Sequence, residues 1–267
     1  MIINSPDELL QSITYTQRLA EQKDEVHLLA VVPSSGEVPT KKNGQIVDGC
    51  SEFDLTPLFA DQFSYEKKID ESGVSSSFGK AEVLIGNRLA IITDKIENFK
   101  PDLIVMGTEL SSDSKDFFSK TKAGLMKETF NVPLLTYKSE NCCEAMQDIA
   151  LLSDYEQEEE KNVPLVKELS KRTGAQITLY GFVQEENQKE ILLSKMEHFT
   201  EKYALGPVHM EVIVSSTKEK SARALLSEKS IQLMVITDIN RKGLKSLVKG
   251  NLEMDILNHT AIPILAI

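Results

Sequence analysis

Several features on which other classes of protein depend are scarce in this chain of 267 residues. It has no tryptophan, three cysteines and four histidines. The odd cysteine count, without a repeated spacing, is unlike a disulfide framework and typical of reduced thiols. The histidines are scattered without the spacing of metal ligands, so the sequence predicts no metal site. We therefore expect a cytoplasmic protein.

Basic charge and long apolar runs are scarce as well. The net charge is −11, from 30 Lys and Arg against 41 Asp and Glu. Nucleic-acid binding needs a basic surface, and an anionic membrane surface attracts basic segments, so neither partner is expected. No apolar run approaches the length of a membrane span, and the N-terminal segment does not resemble a signal peptide.

What the chain does contain is an internal repeat. The segment 102–108 (DLIVMGT) recurs as 232–238 (QLMVITD), and Pro133-Leu134-Leu135 recurs as Pro263-Ile264-Leu265. Both matches have the same offset of 130 residues, and a fixed repeat sets the architecture. The sequence predicts two domains, 1–140 and 145–267, each long enough to bury a core of its own.

The second copy shows a regular alternation of strands and helices. A helix over about 158–172 has Pro164 in its first turn and ends at Gly174. A helix over 187–203 has Ile191, Leu192, Met196 and Phe199 at helical spacing. Apolar strands are predicted at 148–153, 176–183, 208–214, 233–237 and 262–267, and further helices at 218–229 and 244–258. This order predicts a doubly wound α/β fold with a mostly parallel sheet, whose ligands bind beyond the carboxyl ends of the strands.

The first copy repeats this order with two irregularities. Its strands at 26–32 and 81–85 match those of the second copy at offsets of 151 and 129, which leaves 22 extra residues between them (151 minus 129). The insertion is placed at 34–52, a loop rich in glycine and proline. Its first strand is reduced to about 1–3, so that strand is either very short or shifted in its pairing.

The repeated segments resemble the universal stress protein family in its tandem form. The strand and turn at 102–108 are similar to the fourth strand of that family, and the helices before Pro133 and Pro263 fit as well. The resemblance implies two Rossmann-like domains, each with a five-stranded sheet of order 3-2-1-4-5. It also implies that the domains pack as an internal pseudo-dimer through their last strands, 134–138 and 262–267, with a homodimer as a further expectation. Many members bind ATP or a related nucleotide, and others lack the site.

The family's nucleotide motif is Gly-x-x-Gly, nine residues, and Gly-Ser or Gly-Thr. Glycines let the backbone approach phosphates, and amides at the following helix N-terminus hold the anion. The second copy has Thr237, Asn240, Gly250 and Asn251 at these places, of which only Gly250 matches. Asn240 tolerates left-handed backbone, whereas Thr237 is β-branched.

The first copy keeps other parts of the motif. It has Gly107, Leu110, Lys120 and Thr121 at the four places, so the first glycine and the hydroxyl remain. Leu110 and Lys120 would crowd a phosphate loop. The resemblance therefore implies a degenerate site, with ATP or AMP as the candidate ligand and no cofactor that the sequence requires.

Asp154 matches an aspartate that follows the family's first strand near the nucleotide. It is a candidate ligand contact, or else a helix N-terminal acid stabilised by the helix dipole. We find no Gly-x-Ser-x-Gly, His-Glu-x-x-His or Walker motif, so no catalytic residue is assigned.

We expect a non-enzymatic stress-response protein that works through association with a protein still to be identified and through small-ligand binding. The alternatives are an ATP or AMP sensor that uses the second domain, a weak ATPase, and a binder of another small ligand enclosed by the insertion.

Overall fold

The computed structural model describes residues 1–3, 5–34, 38–47, 54–73, 79–107, 132–138, 145–153, 155, 162–215, 225, 230–237 and 262–267. The chain divides into two compact units, Met1–Val132 and Pro133–Ile267. Within the described segments, every helix falls short of the length and hydropathy that a bilayer crossing needs.

The first unit alternates parallel strands with helices. Its strands are β1 (Ile2–Ile3), β2 (His27–Pro33), β3 (Lys80–Gly86) and β4 (Ile104–Gly107). Its helices are α1 (Leu9–Leu19), α2 (Thr56–Glu71) and α3 (Arg88–Phe99). The strands lie in the order β3-β2-β1-β4, all parallel. Its core lies between the sheet and the helices, around Ile3, Leu28, Ala30 and Tyr65.

The first strand, β1, is short and central. Ile2 pairs with Leu29 of β2 on one side and with Met106 of β4 on the other. Leu29 also donates its N–H to the carbonyl of Met1 at 2.9 Å, so pairing with β2 begins at residue 1. Ile3 is fully buried. The sequence left open a very short strand or a shifted pairing for this segment. The structure supports the very short strand, in the central position.

The second unit has a larger sheet. Its strands are β5 (Leu134–Tyr137), β6 (Asp148–Leu152), β7 (Gln176–Val183), β8 (His209–Val214), β9 (Leu233–Ile236) and β10 (Ile264–Ala266). Its helices are α4 (Val163–Thr173) and α5 (Lys189–Tyr203). The order is β8-β7-β6-β9-β10-β5, in which β5 alone runs antiparallel, against β10. The predicted α/β class with a mostly parallel sheet is confirmed.

Helices α4 and α5 of the second unit follow from local sequence signals. Pro164 lies in the first turn of α4, and Gly174 ends it at φ 75° with its N–H on the carbonyl of Ser170 at 2.8 Å. In α5 the residues Leu192, Met196 and Phe199 are buried. Ile191, which the sequence analysis grouped with them at helical spacing, is 62% exposed. Successive helical residues point about 100° apart, so a stripe through 192, 196 and 199 turns 191 outward.

The insertion of the first copy contains ordered structure in its described part, residues 38–47. Residues 39–47, here called the insertion ribbon, double back through an antiparallel bridge between Thr40 and Ile46. The ribbon then pairs with the end of β3, where Gln45 bridges Gly86 and Ile46 donates its N–H to Ile85 at 3.1 Å. The sequence predicted a loop here, and the structure corrects it to a ribbon fixed on the sheet.

Candidate functional site

The predicted site residues divide into described and undescribed ones. Gly107 is the buried last residue of β4, and Thr237 directly follows β9. The others lie outside the described residues: Thr121, Asp154, Asn240, Gly250 and Asn251. In each unit the strand order reverses beside the first strand, between β1 and β4 and between β6 and β9. Ligands of doubly wound sheets bind beyond the carboxyl ends of the strands at such a point, which makes these two edges the candidate site.

At the edge of the second unit, Thr237 is part of the sheet. Its N–H donates to the carbonyl of Leu152 at 3.2 Å, which continues the pairing of β6 with β9. Its hydroxyl donates to Ser153 Oγ at 2.9 Å, and the residue is only 1% exposed. The threonine that replaces the motif's first glycine is therefore buried and engaged with a neighbouring strand. Its hydroxyl can donate to a ligand only if that hydrogen bond is broken.

Ser153 also contacts Tyr155, two residues further along the chain. Its hydroxyl accepts the N–H of Tyr155 at 3.1 Å. The phenol of Tyr155 turns back to the sheet, 3.0 Å from the carbonyl of Leu151 and 2.9 Å from that of Tyr180. Its ring packs edge-on against Phe199 of α5 with centroids 5.2 Å apart. Ser153 and Tyr155 are thus both held by hydrogen bonds.

Tyr155 has an unusual backbone conformation where its phenol contacts the sheet. Its φ is 55°, in the left-handed region that is costly for a residue with a Cβ. Such strain persists only where surrounding contacts determine it, and the buried phenol supplies them. Sequence reasoning missed Ser153 and Tyr155 as site residues. The available signal was a hydroxyl and an aromatic residue placed directly after a buried first strand.

Strand register shows which residue of the first copy corresponds to Asp154. Ile2 pairs with Leu29 and Met106, and Leu152 pairs with Tyr180 and Ile236. These partners are related by the repeat offsets of 151 and 130, so Ile2 corresponds to Leu152 at an offset of 150 (152 minus 2). By this count the residue equivalent to Asp154 in the sequence is Asn4 (154 minus 150). The first copy therefore has an uncharged amide in place of the carboxylate.

The edge of the first unit holds a buried charge pair. Arg88, the first residue of α3, is 3% exposed and donates from Nη2 to the carbonyl of Ile3 at 3.2 Å. Burial lowers the pKa of Arg88, against the attraction of Tyr65 and Glu8, which act to raise it. Glu8 is itself 1% exposed. The guanidinium therefore lies directly beyond the carboxyl end of β1.

Nothing in the sequence indicated that these two charged residues are buried at the site. Glu8 and Arg88 stand at helix starts, where charged residues are common and usually exposed. Among the described residues, no three His, Cys, Asp or Glu side chains lie close enough together to hold a metal ion.

Comparison with known proteins shows the fold. Neither protein-family models nor curated protein sequences match this chain. A universal stress protein from Archaeoglobus fulgidus DSM 4304 has a similar solved structure, with a TM-score of 0.67 at 14% identity over 99% of this chain and 95% of that one. A putative universal stress protein from Pseudomonas aeruginosa UCBPP-PA14 gives a TM-score of 0.57 at 12% identity over 100% and 91%.

A protein of another kind shares the same architecture. The cytoplasmic domain of a prokaryotic cation chloride cotransporter gives a TM-score of 0.61 at 12% identity, over 99% of this chain and 93% of that one. At these identities the likeness concerns the fold alone. The chain has the fold of universal stress proteins, as its repeated segments indicated.

Proposed function

We propose that this chain, which has the fold of universal stress proteins, is a non-enzymatic stress-response protein that acts through association. The observation that carries the proposal is the hydrogen-bonded pair Ser153 and Thr237. At the place where a nucleotide loop needs a glycine, the chain has a buried side chain that joins two strands. A site altered in this way supports a role in association more than a role in phosphate chemistry.

The form of association that we propose uses the last strands of the two sequence copies. Each copy contributes strands in the order 3-2-1-4-5, and the copies form an internal pseudo-dimer. The antiparallel pairing of β5 with β10, with Thr136 opposite Ile264, supports this proposal. A homodimer, a protein partner still to be identified and a cytoplasmic location complete it. The likeness to the cytoplasmic domain of a cotransporter fits such a role, because that domain has the same fold in another setting.

An assay of ATP hydrolysis tests the non-enzymatic part. Purified protein with magnesium and ATP is expected to release phosphate no faster than buffer alone. Asp154→Ala and wild type should then be indistinguishable. Release that is measurable in wild type and abolished in Asp154→Ala would establish a weak ATPase and overturn the proposal.

The second candidate function is a nucleotide sensor in the second unit. It is favoured by the hydrogen bonds that hold Ser153 and Tyr155 beside the strand-order reversal, because preorganised groups at that point suit a ligand. The ligand would be ATP or AMP, and the contacts would come from Asp154, Asn240, Gly250 and Asn251.

A thermal-shift panel separates the two candidates. ATP, ADP, AMP and cyclic dinucleotides are tested with and without magnesium, since a ligand that binds the native state raises its stability. A shift for one nucleotide that is lost in Asn240→Leu, and kept in the first-copy control Leu110→Asn, identifies a sensor. A flat panel supports the association role.

A further inference from the structure

We infer that two copies of this chain associate through the edge of β8, by antiparallel pairing of β8 with the same strand of the second copy. The inference rests on the homodimer of the proposed function and names the strand that forms it. β8 lies at the end of the strand order of the second unit, and no described residue pairs with it on the side away from β7. An edge strand of this kind offers a row of backbone donors and acceptors to another strand.

The first observation is the direction of the backbone groups along β8. Just beyond the strand, Ser215 donates its N–H to the carbonyl of Val183 in β7 at 3.0 Å. Successive residues of a strand direct their N–H and C=O groups to opposite sides, so residues 211 and 213 face β7 as well. The residues that direct these groups to the open side are therefore Met210, Val212 and Val214.

The second observation is the contrast with β3, the corresponding edge strand of the first unit. There the insertion ribbon occupies the carbonyl of Ile85, because Ile46 donates its N–H to that carbonyl at 3.1 Å. By the repeat offset of 129, Ile85 corresponds to Val214 in β8 (214 minus 129). The same position thus has a partner within the chain in the first unit, whereas in the second unit no described residue supplies one.

The third observation is that β8 is complementary to itself. With Val212 opposite Val212 of the second copy, Met210 lies opposite the second copy's Val214, and all the outward residues gain a backbone partner. Glu211 then lies opposite Ile213 of the second copy, so no two like charges are directly opposed. Val214, which is 37% exposed, becomes covered. The contact uses the same patch on both chains, so it closes at a dimer.

Analytical ultracentrifugation of the full chain over a concentration series tests the dimer and its edge. We expect wild type to dimerise, and Val212→Lys to raise the dissociation constant by roughly tenfold or more, because two ammonium groups then lie opposite each other. Val47→Lys is the control, since it adds the same charge at an exposed valine of the insertion ribbon and should leave the dimer unchanged.

The outcomes separate the inference from the proposed homodimer. A wild-type chain that stays monomeric overturns both. A dimer that Val212→Lys does not weaken leaves the homodimer standing and overturns the inference about β8.

A mixing experiment distinguishes charge repulsion from a damaged fold. Val212→Asp should fail to dimerise by itself, like Val212→Lys. An equal mixture of the two variants should form a heterodimer, because opposite charges then lie opposite each other. If both variants keep the far-UV circular dichroism of wild type and the mixture still does not associate, Val212 does not lie opposite itself and the inference is wrong.

Amide hydrogen exchange of wild type tests the same edge without any substitution. The outward amides of Met210, Val212 and Val214 should be protected in the dimer and should exchange faster on dilution. The amides of Glu211 and Ile213, which face β7, should stay protected at both concentrations. Outward amides whose exchange in a dimerising chain does not change on dilution would show that the dimer forms elsewhere. Protection that appears only when a different protein is added would assign the edge to that protein and overturn the self-pairing.

Discussion

The hydroxyls of Thr237 and Ser153 lie 2.9 Å apart, one residue beyond the last backbone pair of β6 and β9, Leu152 with Ile236. Both residues are buried, at 1% and 7% exposure. The strand pairing is thereby continued by side chains across the point where the strand order reverses. A glycine at 237 would leave this place open to a ligand, whereas threonine fills it.

Loss of this hydrogen bond should destabilise the second unit. Thr237→Val keeps the shape of the side chain and removes the hydroxyl, so Ser153 loses one buried partner. We expect the free energy of unfolding to fall by about 1–2 kcal/mol, as for a buried hydrogen bond. Urea denaturation measures it. Ser153→Ala and the double variant complete a cycle, and additive effects in that cycle would show that the two hydroxyls do not interact.

The insertion ribbon leaves no room for a side chain at Gly86. This residue has φ 150°, and any Cβ there would meet the carbonyl of Gly44. Gly86→Ala should therefore lower the free energy of unfolding by about 1–3 kcal/mol more than backbone strain alone. The matched control is Gly73→Ala, since Gly73 has φ 66° and open space around its Cβ position. Equal losses in the two variants, measured by denaturant unfolding, would contradict the close contact.

The charge pair in the first unit should show strong coupling. Arg88→Met leaves the carboxylate of Glu8 buried without its attractive partner, and breaking such a pair costs about 3–5 kcal/mol. Glu8→Gln in the same background removes the stranded charge, so the double variant is expected to regain most of the loss. Thermal unfolding of the four proteins checks this. A double variant less stable than either single one would show that the two charges do not offset each other.

The surface of β3 and α3 should show a pH-dependent contribution from Glu82. Burial acts to raise the pKa of Glu82, but Lys95 at 2.9 Å and Lys80 at 3.1 Å outweigh it, and the pKa lies below its ordinary value of 4.5. Because the folded pKa is lowered, the stabilisation is complete above pH 4.5 and is lost as the pH falls through the folded pKa.

An NMR titration of the Glu82 carboxyl measures the shift directly. Lys95→Met should raise the pKa of Glu82 and cost less than about 1 kcal/mol near neutral pH, because the pair is partly exposed. Lys67→Met, which removes an exposed pair with Glu71, serves as the control and should leave Glu82 unchanged. A Glu82 pKa that does not respond to Lys95→Met would refute the assignment.

The fold was largely predictable because strands and helix ends have local signals. Strand β7 coincides with the predicted 176–183, and Gly174 ends α4 as its left-handed conformation requires. The insertion ribbon was not predictable. Backbone hydrogen bonds from Ile46 and Asn87 hold it, and such bonds leave no side-chain pattern in the sequence.

The candidate site was less predictable than the fold. Motif spacing drew attention to Thr237, but the role of Thr237 depends on Ser153, a residue 84 positions away along the chain. Burial of Arg88 and Glu8 depends on where α1 and α3 begin relative to β1, and composition does not encode that. The offset of 150 at the first strand came from its pairing, because the sequence matched only the later strands, with an offset of 151 at the second.

The pairing of β5 with β10 constrains how the second unit folds. Thr136 and Ile264 are 128 residues apart, whereas β6, β7 and β8 follow one another closely in the chain. Closing so long a loop before any contact rewards it is entropically slow, so we infer that β5 joins after the local strands have assembled. Until then β10 offers a bare edge to other chains. We therefore expect the chain to be open to edge-to-edge aggregation in the interval before this pairing forms.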